Sequence, residues 1–245
     1  MVNIIILIFY HYLKGMLTMN KILIISAHPD DDILGCGGMM SKFSEKKQIR
    51  VIFIADGSSC RYEKEQVNTK NVKAKIEQRN RYGVEALKSL GINSYVFFNL
   101  PCGRLDQIPI IDINKIIEKE IFDFKPDCVF THANSDTNND HLIINKSTLI
   151  ATRPGSRYLV KELYSYEVLS SSEWKFTDNF KPNYFISLTK EDVEKKWKAL
   201  KKYKSEIKDF PYPRSYEGLI ALAKYRGMQS NSSYAEAYRL IRKFV

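Results

Sequence analysis

Apolar, β-branched runs alternate along the chain with segments whose apolar residues recur at helical spacing. The runs predict five strands, over residues 21–27, 50–55, 94–99, 127–131 and 162–169. The helical spacing predicts seven helices, over residues 34–46, 72–90, 111–123, 140–151, 190–207, 214–226 and 234–243. Continuous apolar strands joined by helices are typical of parallel sheets with right-handed crossovers. The pattern therefore predicts an α/β fold: a Rossmann-like, doubly wound, mostly parallel sheet with helices on both faces and a C-terminal helical cap.

The chain shows no linker rich in Gly, Ser or Pro, so we expect a single domain over residues 19–245. Residues 1–18 form an N-terminal extension, which is either a weak amphipathic anchor or a result of start-codon choice; we favour the second. Its apolar run, NIIILIFY, is too short for a stable membrane span. It also lacks the basic region and cleavage site of a signal peptide.

Composition and charge narrow the functional classes. Hydrophobic residues make up 44% of the chain, which is enough for a packed core, and the formal net charge is +10. The charge reflects either solvated lysines or an anionic, phosphate-bearing partner; no motif for nucleic-acid binding accompanies it. The four cysteines form no CxxC pair, which argues against a disulfide framework or a cysteine zinc site and favours a cytoplasmic location.

Polar clusters follow the predicted strands, at residues 28–32, 56–59, 99–104 and 132–141. In doubly wound sheets, ligands bind beyond the carboxyl ends of the strands. Because all four clusters fall at such ends, the sequence predicts a functional site along this edge of the sheet.

The first cluster reads HPDDD, with His28 followed by Asp30, Asp31 and Asp32. Adjacent carboxylates repel one another unless a cation neutralises them. One interpretation is a metal ligand pair with a further carboxylate left free to handle a proton. The alternative is an aspartate-rich helix cap, favoured by the helix dipole.

The second cluster contains His132, Asp136, Asn138, Asp140 and His141. Apart from a histidine at position 11 in the extension, every histidine of the chain lies in these two clusters. Two histidines and a carboxylate, which leave coordination positions of the metal open, are typical ligands of a catalytic divalent metal. Zinc is the first candidate. Fe²⁺ or another divalent ion is also compatible with such ligands.

These motifs resemble those of a known enzyme family. AHPDDDILGCGG is similar to the signature A-H-P-D-D-E-x-x-x-G-x-G-G of the PIG-L/LmbE-like metal-dependent N-deacetylases. DTNNDH followed by ATRP resembles the second motif of a bacterial D-x-N-x-D-H branch. The resemblance extends through KPDCVFTH, ELYSYEVLSSSEW, FPYPRS and YRGMQ, and covers roughly residues 20–243.

The resemblance implies a zinc ion held by His28, Asp31 and His141. It implies that Asp30 is the general base that activates water, and that Asp140 tunes the proton balance beside the third ligand. The implied activity is hydrolysis of the N-acetyl group of an amino sugar of the N-acetylglucosamine type, with release of acetate.

Two positions depart from the usual family pattern. Asp32 stands where glutamate is frequent. Because both residues are carboxylates, we still expect a supporting role at this position. Asn138 stands where many members have a histidine that stabilises the oxyanion or protonates the leaving amine. Asparagine donates hydrogen bonds but does not carry a proton. Either Asp30 therefore serves as both base and acid, or His132 supplies the second group.

Candidate substrate contacts are Arg79, which stands near a family arginine, together with His132 and Arg153. Arg104, Arg153 and Arg214 are candidate contacts for a phosphate-bearing carrier, although each also fits a surface or ion-paired arginine. The expected partner is a small amino-sugar substrate, carried on a nucleotide, a lipid or another group; the oligomeric state stays open.

Other functional classes fit less well. A nucleotide-binding module would need a G-x-G-x-x-G loop, which GCGG is not, and the preceding acidic loop would repel phosphate. A phosphoesterase would usually need a second metal cluster, for which there are few histidines. The remaining alternatives are a catalytically altered member that binds sugars or nucleotide-sugars, and a deacylase of a non-sugar amide.

Overall fold

The computed structural model describes residues 19–245, so the N-terminal extension lies outside the described residues. Its strands are β1 (Lys21–Ser26), β2 (Gln48–Ala55), β3 (Ser94–Leu100), β4 (Cys128–His132), β5 (Glu162–Tyr166), β6 (Tyr184–Leu188) and β7 (Tyr234–Lys243). They form one sheet in the order β3-β2-β1-β4-β5-β7-β6. Neighbours from β3 to β5 are parallel, whereas β7 is antiparallel to both β5 and β6. The strand order reverses between β1 and β4, which is where doubly wound sheets bind ligands.

The helices are α1 (Asp31–Phe43), α2 (Lys70–Ser89), α3 (Ile110–Phe124), α4 (Asn139–Ala151), α5 (Lys190–Leu200) and α6 (Tyr216–Gln229). Short 3-10 turns lie at Ser59–Arg61, Lys64–Gln66, Leu105–Gln107 and Ser172–Trp174. Within residues 19–245, no helix has the length and apolar character needed to cross a membrane.

Helices cover both faces of the sheet, which confirms the predicted fold class. Along β1, Ile22 and Ile24 contribute to one hydrophobic core, while Leu23 and Ile25 contribute to the other. This alternation follows from the two-residue period of a strand. The first core is completed by α1, α2, α5 and α6, and the second by α3 and α4.

The prediction of a helix over residues 234–243 is wrong: this segment is β7, and its partner β6 was not predicted. Ala, Glu, Leu and Arg favour helices, but Tyr234, Tyr238 and Leu240 recur at strand spacing and pack on the first core. Pairing with β5 and β6 on both sides outweighs the local propensity.

The chain also leaves helical conformation earlier than predicted after residue 190, because α5 ends at Leu200. The following segment carries Tyr203 into the core and Glu206 into a cluster of arginines. These tertiary contacts interrupt the predicted helical face, and they bring the segment 201–215 over the edge of the sheet where the polar clusters meet.

A buried ion pair anchors α1 to the rest of the fold. Lys196 Nζ of α5 lies 2.7 Å from Glu236 Oε1 of β7, and it also donates to the carbonyl of Leu34 at 2.7 Å. The amides of Gly38 and Met39 donate to the two carboxylate oxygens of Glu236, each at 2.7 Å. The pair therefore fixes the position of the helix whose first turn faces the polar clusters.

We expect Lys196→Met to lower the free energy of unfolding by about 3 kcal/mol, because it leaves the buried Glu236 carboxylate without its cation. Lys195→Met on the same helix is the matched control, since the pair of Lys195 with Glu191 is exposed. Urea unfolding followed by circular dichroism measures both variants, and equal midpoints would contradict the anchoring role.

Candidate functional site

The reversal of strand order brings the two predicted clusters together. His28 follows β1 directly, Asp31 opens α1, and His141 lies in the first turn of α4. All three side chains are buried. The fold thus unites residues that stand more than a hundred positions apart in the sequence.

The Asp31 carboxylate is the centre of the site. Its Oδ2 lies 3.2 Å from His28 Nδ1 and 3.3 Å from His141 Nε2, and it accepts the His28 backbone amide at 2.8 Å. Burial alone would raise the pKa of Asp31, but the two neighbouring imidazoles hold that pKa well below its usual range. Asp31 is therefore an anion at neutral pH.

The second nitrogen of each imidazole faces another carboxylate. His28 Nε2 lies 2.9 Å from Asp140 Oδ2, and His141 Nδ1 lies 3.1 Å from Asp136 Oδ2. Burial lowers the pKa of both histidines, but the carboxylates outweigh it and raise the pKa to about 10 for His28 and about 9 for His141. Because an imidazole binds a metal through a nitrogen that carries no proton, binding a metal here would work against these raised pKa values and would become weaker as the pH falls.

The two outer carboxylates are themselves held by hydrogen bonds. Asp140 accepts the backbone amide of Gly103 at 2.6 Å. Asp136 accepts the hydroxyls of Ser171 at 2.9 Å and Ser172 at 2.7 Å. Such contacts orient ligating histidines and set their basicity. Asp136 belongs to the predicted cluster, but its contact with His141 could not be read from the sequence.

His132 lies behind this arrangement and is wholly buried. Its ring stacks on His141 at 3.9 Å, and its Nε2 accepts the backbone amide of Ala27 at 2.8 Å. Burial and the charge of His141 lower the pKa of His132 well below its usual value. His132 is consequently a neutral ring that supports His141 from inside the protein.

Asp30 stands apart from the histidines, between two arginines. Its Oδ2 lies 2.9 Å from Arg79 Nη2 and 2.6 Å from Arg214 Nη1. Its backbone φ of 124° is a strained conformation for a residue other than glycine. Among the described residues it makes no side-chain cap to α1, so its carboxylate does not act as a helix cap. Burial raises the pKa of Asp30, although both arginines oppose this shift.

Glu206 completes the arginine cluster. Its carboxylate contacts Arg79 directly, lies 2.7 Å from Arg61 Nη2, and lies 3.5 Å from Arg214 Nη1. Sequence reasoning missed Glu206, because it lies in a segment predicted to be an ordinary helix face. Arg214 was predicted to contact a carrier, but the structure directs it to Asp30.

Asp32 and Asn138 occupy supporting positions. Burial raises the pKa of Asp32 well above its usual value and so favours the neutral form of this carboxyl. Asn138 is the N-cap of α4, and its Oδ1 accepts the backbone amide of Asp140 at 2.9 Å. The cap fixes the start of the helix that carries both Asp140 and His141.

Two arginines that were predicted to contact the substrate or its carrier make other polar contacts in the structure. Arg153 follows the far end of α4, roughly 18 Å along the helix from His141, and it pairs with Glu118 at 2.7 Å. Arg104 donates to the carbonyls of Ser59 and Tyr62 and so joins two loops. Among the described residues, neither arginine makes a polar contact with the side chains of His28, Asp31 or His141, and their contact with a substrate stays a prediction.

The donor set fits a divalent metal. His28, Asp31 and His141 present one ligand atom each, all within 4.8 Å of one another. Ligand atoms about 2.0–2.1 Å from a tetrahedral zinc ion lie about 3.3 Å apart, close to the two nitrogen-to-Oδ2 separations of this site. Within the described chain, both buried nitrogens of His141 lack a well-aligned hydrogen-bond partner. A second group also places one ligand atom of each residue within 4.8 Å of the others: His28, Cys102 and Asp140.

Comparisons with known proteins agree with this geometry. The chain is 29% identical over 191 residues to the uncharacterized deacetylase YaiS of Escherichia coli (strain K12), covering 75% of this chain and 90% of that protein. The fold resembles N,N'-diacetylchitobiose deacetylase from Pyrococcus horikoshii, with a TM-score of 0.69, 20% identity, and 95% and 91% of the two chains covered.

The fold alone does not determine the reaction. It also resembles GalB, a 4-carboxy-2-hydroxymuconate hydratase from Pseudomonas putida KT2440, with a TM-score of 0.70, 20% identity, and 93% and 98% of the chains covered. The sequence decides the family: residues 23–152 match the PIG-L profile, described as GlcNAc-PI de-N-acetylase. That match includes His28, Asp31 and His141, and the chain belongs to the PIG-L deacetylase family.

Proposed function

We propose that this protein is a zinc-dependent N-deacetylase, which removes the acetyl group of an N-acetylated amino sugar of the N-acetylglucosamine type. One observation carries the proposal: Oδ2 of Asp31 lies between two imidazoles, and the separate carboxylate of Asp30 lies in the same turn. Family membership and the structural likeness to a chitobiose deacetylase support this choice over other amide hydrolases.

In this proposal His28, Asp31 and His141 hold the zinc ion, with Fe²⁺ as an alternative. When bound, the ion supplies Lewis-acid polarisation of the acetamide carbonyl and lowers the pKa of a coordinated water towards about 7. Asp140 and Asp136 orient the two histidines from behind and would stabilise the positive charge that the imidazoles gain on binding the ion.

Asp30 is the proposed general base. It takes a proton from the attacking water at its carboxylate, and Arg79 and Arg214 keep that carboxylate in place. Burial makes Asp30 more basic than an exposed aspartate, which suits proton transfer. The arginine contacts also explain how the strained backbone of Asp30 persists in the folded protein.

The same carboxyl is the proposed acid that protonates the leaving amine. His132 is less suited to this role, because it is wholly buried and its Nε2 already accepts the Ala27 amide. Asn138 uses Oδ1 for its cap, and its Nδ2 group is the donor that we assign to the oxyanion.

Arg79, which contacts Asp30, also lines a cavity of about 210 Å³ together with Arg61, Lys75, Gln78 and others. Half of the Arg61 side chain is exposed. We assign this cationic cavity to the group that carries the sugar. An anionic carrier, such as a phosphate-bearing nucleotide or lipid, matches its charge, and a cytoplasmic enzyme would meet both.

Asp30→Asn should reduce kcat at least about 100-fold, because the amide cannot accept the proton of the attacking water. The measurement is acetate release from a panel of N-acetylated amino sugars, with zinc content determined on the same samples. Since Asp30 is not a metal ligand, the variant should retain zinc.

Asp32→Asn is the matched control in the same turn. It changes a buried carboxyl whose pKa is raised and to which we assign no proton transfer, so turnover should stay within a few-fold of the parent. Parental turnover by Asp30→Asn, or equal losses in the two variants, would refute the assignment of Asp30 as the base.

Asp136→Asn should weaken zinc affinity by about 10- to 100-fold, because His141 loses the carboxylate that orients it. Competition with a chelating dye measures the affinity, and Asp106→Asn, at an exposed position, serves as the control. Unchanged zinc affinity in the folded Asp136 variant would show that this carboxylate does not support the metal site.

A further inference from the structure

Two thiols lie together at the rim of the site. Cys60 is exposed in the turn after β2, and Cys102 is buried in the loop after β3. The loops that carry them contact each other beside Cys60 and Cys102. The other two cysteines, Cys36 and Cys128, are buried in the first hydrophobic core.

The loops that carry these thiols are fastened together. The backbone amide of Cys102 donates to Ser59 Oγ at 3.0 Å, and Arg104 donates to the Ser59 carbonyl at 3.2 Å. A Cβ placed on Gly103 would lie only 3.0 Å from the Cβ of Cys60. The two loops therefore lie so close together that a side chain at position 103 would crowd Cys60.

The environment of Cys60 favours its thiolate. The neighbouring Cys102 side chain lowers the pKa of Cys60, although partial burial opposes the shift. Burial raises the pKa of Cys36 and Cys128 well above the usual value. Oxidation selects thiols that are both accessible and ionised, so Cys60 is the position where an oxidant should react first.

We propose that Cys60 and Cys102 form a reversible disulfide across the rim of the site. A hydroperoxide is the oxidant. The Cys60 thiolate attacks its terminal oxygen, the O–O bond breaks, and the leaving oxygen takes a proton, which leaves a sulfenic acid on Cys60. The sulfur of Cys102 then attacks Cys60, the S–O bond breaks, water leaves with the Cys102 proton, and two electrons in total have passed to the hydroperoxide.

The bond would act on the site through the neighbouring residue. Gly103 donates its amide to Asp140, and Asp140 faces His28. A disulfide holds its two sulfurs about 2.05 Å apart, so the link would restrain the loop that carries Gly103. This step rests on the proposed function: we expect oxidation to lower deacetylase turnover several-fold, with recovery after reduction by dithiothreitol.

Disulfide formation is tested independently of activity. The reduced full chain is treated with an equimolar amount of hydrogen peroxide, alkylated and digested without reduction, and its peptides are analysed by mass spectrometry. We expect a dithiothreitol-sensitive link between the Cys60 and Cys102 peptides, with Cys36 and Cys128 still fully alkylated on unfolding.

Single variants identify the steps. Cys102→Ser should leave a sulfenic acid on Cys60 that dimedone traps, and Cys60→Ser should leave Cys102 unoxidised and turnover insensitive to peroxide. Sulfinic acid on parental Cys60 without a link, or a link between two chains, would overturn the disulfide. A link with unchanged turnover would keep the modification site but overturn its coupling to Asp140.

Discussion

The two clusters that contain the histidines bury five aspartates at one edge of the sheet: Asp30, Asp31, Asp32, Asp136 and Asp140. An ionised carboxylate is costly to bury unless positive charge or hydrogen-bond donors face it. The fold meets this constraint in three ways: burial raises the pKa of Asp32 and so favours its neutral form, Asp30 faces two arginines, and Asp31 faces two imidazoles. This division of charge separates a position suited to a metal ion from a position suited to a proton carrier.

Much of this arrangement follows from the sequence. Apolar runs at residues 21–27 and 127–131 locate β1 and β4, and polar residues after each run mark the edge where the strand order reverses. The likeness to a family then divides the aspartates between roles. The sequence predicts the site well because its histidines and carboxylates lie at strand ends, and because parallel strands present their carboxyl ends at the same edge of the sheet.

The rest depends on tertiary contacts that no local pattern reveals. Glu206 and Arg214 belong to a segment between α5 and α6 that crosses to Asp30, and its course is set by contacts with Arg79 and the core. Likewise, β7 has helix-favouring composition, and only the open edges of β5 and β6 make it a strand. Its Glu236 in turn holds α1, so the missed strand also supports the site.

The central claim is that His28 uses the nitrogen facing Asp31, together with His141, to hold the metal. X-ray absorption at the zinc edge of the zinc-loaded chain tests this most directly, because the rival ligand group contains the sulfur of Cys102. The account predicts only nitrogen and oxygen ligands at about 2.0–2.1 Å. A sulfur shell at about 2.3 Å would place the ion with Cys102 and Asp140 instead, and would contradict the division of roles among the aspartates.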